Sequence, residues 1–93
     1  MKASELLRRL TENPFQEEYK GIYAQVGITL VPLTKAKPDD EGNLFFHMNK
    51  KSPMNIKTFF AISQFHKNKS VFYWSNQKIS FYSYRIDRGK IIV

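Results

Sequence analysis

Chemistry in this chain would have to come from two histidines, His47 and His66, five tyrosines and fifteen lysines and arginines, because there is no cysteine. Disulfides and thiolate metal sites are thereby excluded. His, Lys, Arg and Tyr suffice for metal-independent cleavage of RNA. A small ribonuclease toxin is therefore one reading of the composition, although no single constellation of these residues stands out. His47 and His66 are far apart in sequence and neither has a carboxylate at ligand spacing. No metal, cofactor or catalytic set is accordingly expected. The run Asp39-Asp40-Glu41 has Lys35 and Lys37 close by and lies among Pro38, Gly42 and Asn43, so it reads as a solvated turn tip. Gly21-Ile22-Tyr23 spells half of a GIY-YIG nuclease signature, but the Tyr-Ile-Gly half is absent and the match is set aside.

Charge carries more information. The net charge of +7 is unevenly placed. Residues 1–20 balance four bases with four acids, and residues 21–46 set Lys35 and Lys37 against three acids. Residues 47–93 hold nine bases and a single acid, Asp87. Such a half cannot neutralise itself, and its field reaches into solvent and attracts anions. Lys50 and Lys51, Lys57, and His66, Lys67 and Lys69 form the candidate phosphate-binding cluster, on the expectation that the segment between them folds back and brings its ends together.

The second candidate is a tyrosine face. With a turn at Asn76-Gln77, residues 70–86 form a hairpin in which Trp74 opposes Ile79 and Phe72 opposes Phe81. Strand alternation then gathers Tyr73, Tyr82 and Tyr84 on the other face, with Lys78 and Arg85 flanking them. Aromatic faces stack on unpaired bases while nearby cations hold the backbone.

The elements that position these residues follow from periodicity. Ser4 as N-cap, the stripe Leu6, Leu7 and Leu10, and the stop at Asn13-Pro14 predict a helix over residues 4–13. Phe15 and Tyr19 are expected to tuck its exit onto the core. Apolar alternation from Ile22 to Leu30 predicts one strand over 21–33, ended near Pro32. Residues 44–50 return as its hairpin partner, with Leu44, Phe46 and Met48 on one face. Ser52-Pro53 opens a second helix over 53–67, although Thr58 to Phe65 also fits a buried strand. Asp87-Arg88-Gly89 turns into a short strand, Lys90 to Val93, whose burial calls for a neighbour such as a second copy of the chain.

The expected protein is a single α+β domain over residues 1–93, with an antiparallel sheet of about five strands in the order α-β-β-α-β-β-β. The lack of cysteine, of a signal sequence and of a long apolar run points to a cytoplasmic protein with no membrane segment. The leading functional expectation is a non-enzymatic nucleic-acid-binding domain favouring single strands or RNA, with contacts mainly to the backbone and by stacking. The alternative is an accessory or inhibitor module, of phage or mobile-element type, that docks on an acidic protein surface.

Overall fold

The structure, a computed structural model, describes residues 1–14 and 16–93. Phe15, expected to pack beneath the first helix, lies outside them. The chain is α+β with the helix first: α1 (Ala3–Glu12), β1 (Gly21–Val26), β2 (Thr29–Pro38), β3 (Asn43–Met48), α2 (Ile56–Phe65), β4 (Ser70–Trp74), β5 (Lys78–Ser80), β6 (Arg85–Asp87) and β7 (Lys90–Ile92). The strands form one sheet in the order β5-β4-β3-β2-β1-β7-β6. It has seven strands rather than about five. It is mixed rather than antiparallel, since β3–β4 and β1–β7 are parallel pairs.

The stretch predicted as one strand over 21–33 is a hairpin. It reverses at a two-residue turn, Gly27-Ile28, because Val26 pairs with Thr29, and the inward positions pass from Ile22 and Ala24 to Val31 and Leu33. Gly27 takes φ +62, at the position where a tight hairpin turn uses glycine. Ile28 is consequently fully exposed, while Ile22 and Ala24 stay in the core. β2 then runs on as the longest strand, pairing first with β1 and later with β3. A bulge at Thr34 separates the two stretches, since Leu33 pairs with Met48 and Lys35 with His47. The extra residue turns Leu33 and Ala36 to the core side and Lys35 and Lys37 outward.

Both helices cover one face of the sheet. Ala3, Leu6 and Leu10 of α1 and Phe59 of α2 share a core with Ile22, Ala24, Leu33, Leu44, Phe46, Val71, Tyr73, Phe81 and Ile91. Segment 58–65 is helix rather than strand. Asn55, not Ser52, caps it, accepting a hydrogen bond from the Lys57 N–H at 2.8 Å. Ser4 does not cap α1 either. The N-cap is Lys2 and makes no side-chain cap. The first helical N–H groups instead donate to main-chain carbonyls, Ala3 to Lys69 and Ser4 to Lys67, each at 2.9 Å. Tertiary contact thus replaces the side-chain cap, which removes the need for a capping residue type. At the exit of α1, Tyr19 donates its hydroxyl to the Leu10 carbonyl at 2.7 Å and sets its ring edge-on to Phe60.

The β4–β5 register differs by one residue from the expected one. Trp74 pairs with Lys78, Tyr73 with Ile79 and Phe72 with Ser80, around a three-residue turn in which Asn76 takes φ +60. Because side chains alternate, one residue of slip exchanges the faces. Tyr73 enters the core, 7% exposed and 5.9 Å from Phe81, while Phe72 and Trp74 face outward. The C-terminal strand needs no second copy to cover it, since β7 lies between β1 and β6 of the same chain.

Two predictions test this description. Tyr73→Ala should cost about 3 kcal/mol, as deletion of a core aromatic does, whereas Trp74→Ala should cost less than about 1 kcal/mol. Urea unfolding of the two variants decides the register. Gly89 takes φ +84, and a Cβ there would collide with the Glu18 carbonyl oxygen. Gly89→Ala should therefore lose about 2 kcal/mol or more, and Gly27→Ala, with no neighbour within 4 Å, only the conformational cost of about 1 kcal/mol. Thermal melts of the pair check the difference.

Candidate functional site

The face of β2–β5 turned away from the helices presents a patch of aromatic rings and positive charge. Cross-strand pairing sets Lys37, Phe45, Phe72 and Ser80 in one row from β2 to β5. At about 4.8 Å per strand, this row spans about 15 Å. Lys35 opposite His47 and Trp74 opposite Lys78 lie in the next row, on the same side of the first, because β3 and β4 run parallel. These outward residues alternate with Leu44, Phe46, Val71 and Tyr73, which are all buried. Strand geometry alone therefore fixes their direction once the inner face is covered.

The rings form a group. Phe45 and Phe72 stack with centroids 5.6 Å apart and planes 29° apart. Lys78 places its ammonium 4.1 Å from the Phe72 centroid and 5.8 Å from that of Phe45, within cation–π range. Trp74 is 54% exposed. None of the three rings belongs to the core or to the shell packed against it. Apolar rings left on a sheet face that is also cationic combine the two properties needed to hold a polyanion with flat bases.

The electrostatics of the face are positive along β2. Lys35 and Lys37 are exposed and flank His47. Burial, and then the charges of Lys35 and Lys37, hold the His47 imidazole below its ordinary range. At the β2–β3 turn, Asp39 accepts hydrogen bonds from the N–H groups of Glu41 and Asn43 and from the Asn43 amide. Desolvation works to raise its carboxyl, but the bonds from Asn43 and Glu41 and the charge of Lys78 outweigh it and leave the group below its usual value. The acidic tip is thus a hydrogen-bonded turn. Among the described residues no cluster of His, Asp and Glu that could hold a metal ion is formed.

Of the nucleic-acid contacts expected from the sequence, Lys78 is the one on this face, and His47 lies on it as well. Tyr73 is in the core. Tyr82 is 84% exposed beyond the end of β5. Tyr84 is half-buried and lines a cleft of about 410 Å³ with Arg9, Glu17, Tyr19, Arg85 and Ile86. Beside it, the Tyr19 phenol is pushed up, first by burial and then by Tyr84 and Glu17. Arg85 lies on β6, at the opposite edge of the sheet from Lys78 on β5, and donates to the side-chain amide oxygen Oε1 of Gln25 at 2.8 Å. The three tyrosines, Lys78 and Arg85 therefore do not make one surface.

The lysine cluster is also divided. β3 and β4 run parallel, so α2 carries the chain from the far end of one strand to the near end of the other. Lys50 and Lys51 follow β3 at one end of the sheet, and Lys67 and Lys69 precede β4 at the other. A helix of this length separates them by about 15 Å. Lys57 stands on the first turn of α2, in the helical layer, and His66 is at that helix's C-cap. His47 and His66 lie on different layers and form no acid–base pair.

Phe45, Phe72, Trp74, Lys35 and Lys37 were not singled out by the sequence reading. A signal for the aromatic residues existed in Asn76. Asparagine tolerates positive φ, and centring a three-residue turn on it gives the observed register and turns Phe72 and Trp74 outward.

The depressed imidazole has a consequence for stability. The unfolded chain binds the His47 proton more readily than the folded one, so stability should fall as pH is lowered from about 7.5 to about 5.5. His47→Gln should flatten that slope, as read by urea midpoints at the two pH values. The Asp39 contribution has the opposite origin, is present above its unfolded value, and is lost only below about pH 4, outside this window.

Compared with known proteins, the chain matches no family model, no curated protein and no solved structure.

Proposed function

We propose that this chain is a non-enzymatic domain that binds single-stranded nucleic acid on the outer face of β2–β5. The observation that carries the reading is the group Phe45, Phe72 and Trp74 set among Lys35, Lys37 and Lys78 on four adjacent strands, with no element of the described chain over it. Unpaired bases stack on the exposed Trp74 and on the open side of the half-buried Phe45–Phe72 pair, at about 1–3 kcal/mol each. The lysine ammoniums take the phosphates between them and release condensed counterions. A duplex hides its base faces, so it gains only the phosphate contacts and binds less tightly. Recognition of this kind depends little on base identity, because every base offers a flat face.

The reading keeps the class of ligand expected from the charge distribution and changes the residues that hold it. Stacking belongs to Phe72, Trp74 and Phe45 in place of the three tyrosines. Lys35 and Lys37 join Lys78 as the phosphate contacts. Burial is the main cause of the lowered His47 imidazole and Lys35 and Lys37 add to it; a phosphate between the two lysines would offset that added part, so binding should tighten modestly as pH falls toward 6. An acidic protein surface would meet the same charges, but it would leave the stacked rings without flat partners.

Trp74 is the single tryptophan of the chain and reports directly on the site. Titration with a single-stranded oligonucleotide should quench its fluorescence, and log K should fall against log salt with a slope of about −2 for three phosphates. Trp74→Ala should weaken binding about tenfold in a protein that remains folded, and Lys37→Gln should reduce the slope by about 0.7. Binding that leaves Trp74 fluorescence unchanged would place the ligand elsewhere. Equal affinity for duplex and single strand would remove the stacking mechanism.

A further inference from the structure

The helical layer carries a second surface, on the side of the molecule away from the aromatic patch. α1 and α2 pack side by side, and the groove between them has a volume of about 560 Å³. Two stripes at helical spacing wall it: Ser4, Leu7, Arg8 and Thr11 on α1, and Phe60, Ala61 and Gln64 on α2, the latter stripe continued one turn earlier by Lys57. Leu7, Phe60 and Ala61 make it predominantly apolar. Phe65, one turn beyond Ala61, extends the same line at 84% exposure and touches only the edge of His66 within the aromatic network.

The polar groups of the groove narrow the choice of occupant. Thr11 spends its hydroxyl on the carbonyls of Leu7 and Arg8 and asks for no outside partner. Arg8 is exposed and makes no ion pair among the described residues, where the one ion pair is Arg9 with Glu5. Arg8 is the sole charge lining the groove and no acid lines it, while Lys57 lies on the same α2 stripe one turn before Ala61. Apolar anchors spaced along two helices with unpaired cations at the margins match a helix that is apolar on one face and acidic beside it.

We propose that the α1–α2 groove docks an acidic amphipathic helix of a partner protein. The apolar face of that helix seats on Leu7, Phe60, Ala61 and Phe65, and its carboxylates meet Arg8 and Lys57. This surface is independent of the nucleic-acid reading, since the sheet separates the two. A protein with both would bring an acidic partner and a nucleic acid together on opposite sides of one domain.

Selection from a displayed library of random peptides of about 15 residues, long enough for a helix, tests the proposal. The enriched peptides should carry Asp or Glu beside apolar residues at helical spacing and should become helical on binding the full chain. Their affinity should fall at least about tenfold with Ala61→Glu and about fivefold with Phe65→Ser, and should be unchanged with Trp74→Ala. Ala61 and Phe65 are exposed, so the variants should fold, which circular dichroism verifies. Absence of enrichment over an unrelated protein, enrichment of basic or extended peptides, or full affinity in folded Ala61→Glu would each overturn it.

Discussion

A parallel pair of strands cannot be closed by a tight turn, so β3 and β4 are joined by a crossover that returns the chain to its starting end. That crossover is α2, and its packing beside α1 over Leu44, Phe46, Val71 and Tyr73 sets which face of the sheet becomes the core. Much else follows from this arrangement. The carbonyls of Lys67 and Lys69, just before β4, are placed where they receive the first N–H groups of α1. The helices occupy one side, and the other side of β2–β5 is left to solvent.

Leaving one face open makes strand alternation the source of the candidate site. With Phe46 and Tyr73 turned in, Phe45, Phe72 and Trp74 have only the outside to occupy. Exposed rings on a sheet are tolerable when they cover one another, and Phe45 does so with Phe72 beneath the Lys78 ammonium. The bulge at Thr34 supplies the remaining charge. Without it, Lys35 and Lys37 would share the side of Leu33; with it, they flank His47. The same local irregularity lets β2 serve two neighbours, β1 early and β3 late, and so joins the two wings of the sheet.

The two surfaces differ in what they offer. The sheet face combines flat rings with ammonium groups, a combination suited to bases and phosphates. The helical groove offers branched and aromatic side chains between helical ridges, with Arg8 beside them and Lys57 one turn along the α2 stripe. The excess of cations in residues 47–93 is thus spread over both layers and both ends of the sheet, and it does not concentrate in one patch.

Local patterns settled what depends on local forces. The Leu6-Leu7-Leu10 stripe and the stop before Pro14 made α1 legible, and the Asp39–Asn43 run made its turn legible. The α+β class followed from the helical stripe and the alternating runs, whereas α2 was only favoured by the helical spacing of Ile56, Phe59, Phe60 and Ser63, with a buried strand over Thr58 to Phe65 left open. Tertiary structure decided the rest. The turn passes the inward positions from Ile22 and Ala24 to Val31 and Leu33, and because Leu30 and Val31 are both apolar the switch leaves no break in the alternation, so Gly27-Ile28 was hidden inside one long strand. A hairpin register is fixed by which face finds a core, and both faces of β4 carry aromatic rings, so hydrophobic patterning could not choose between Tyr73 and Trp74, and the turn preference of Asn76 was the one local signal. Whether lysines distant in sequence converge depends on strand direction. The parallel pairing of β3 with β4, a long-range contact that no local pattern encodes, set Lys50 and Lys51 apart from Lys67 and Lys69.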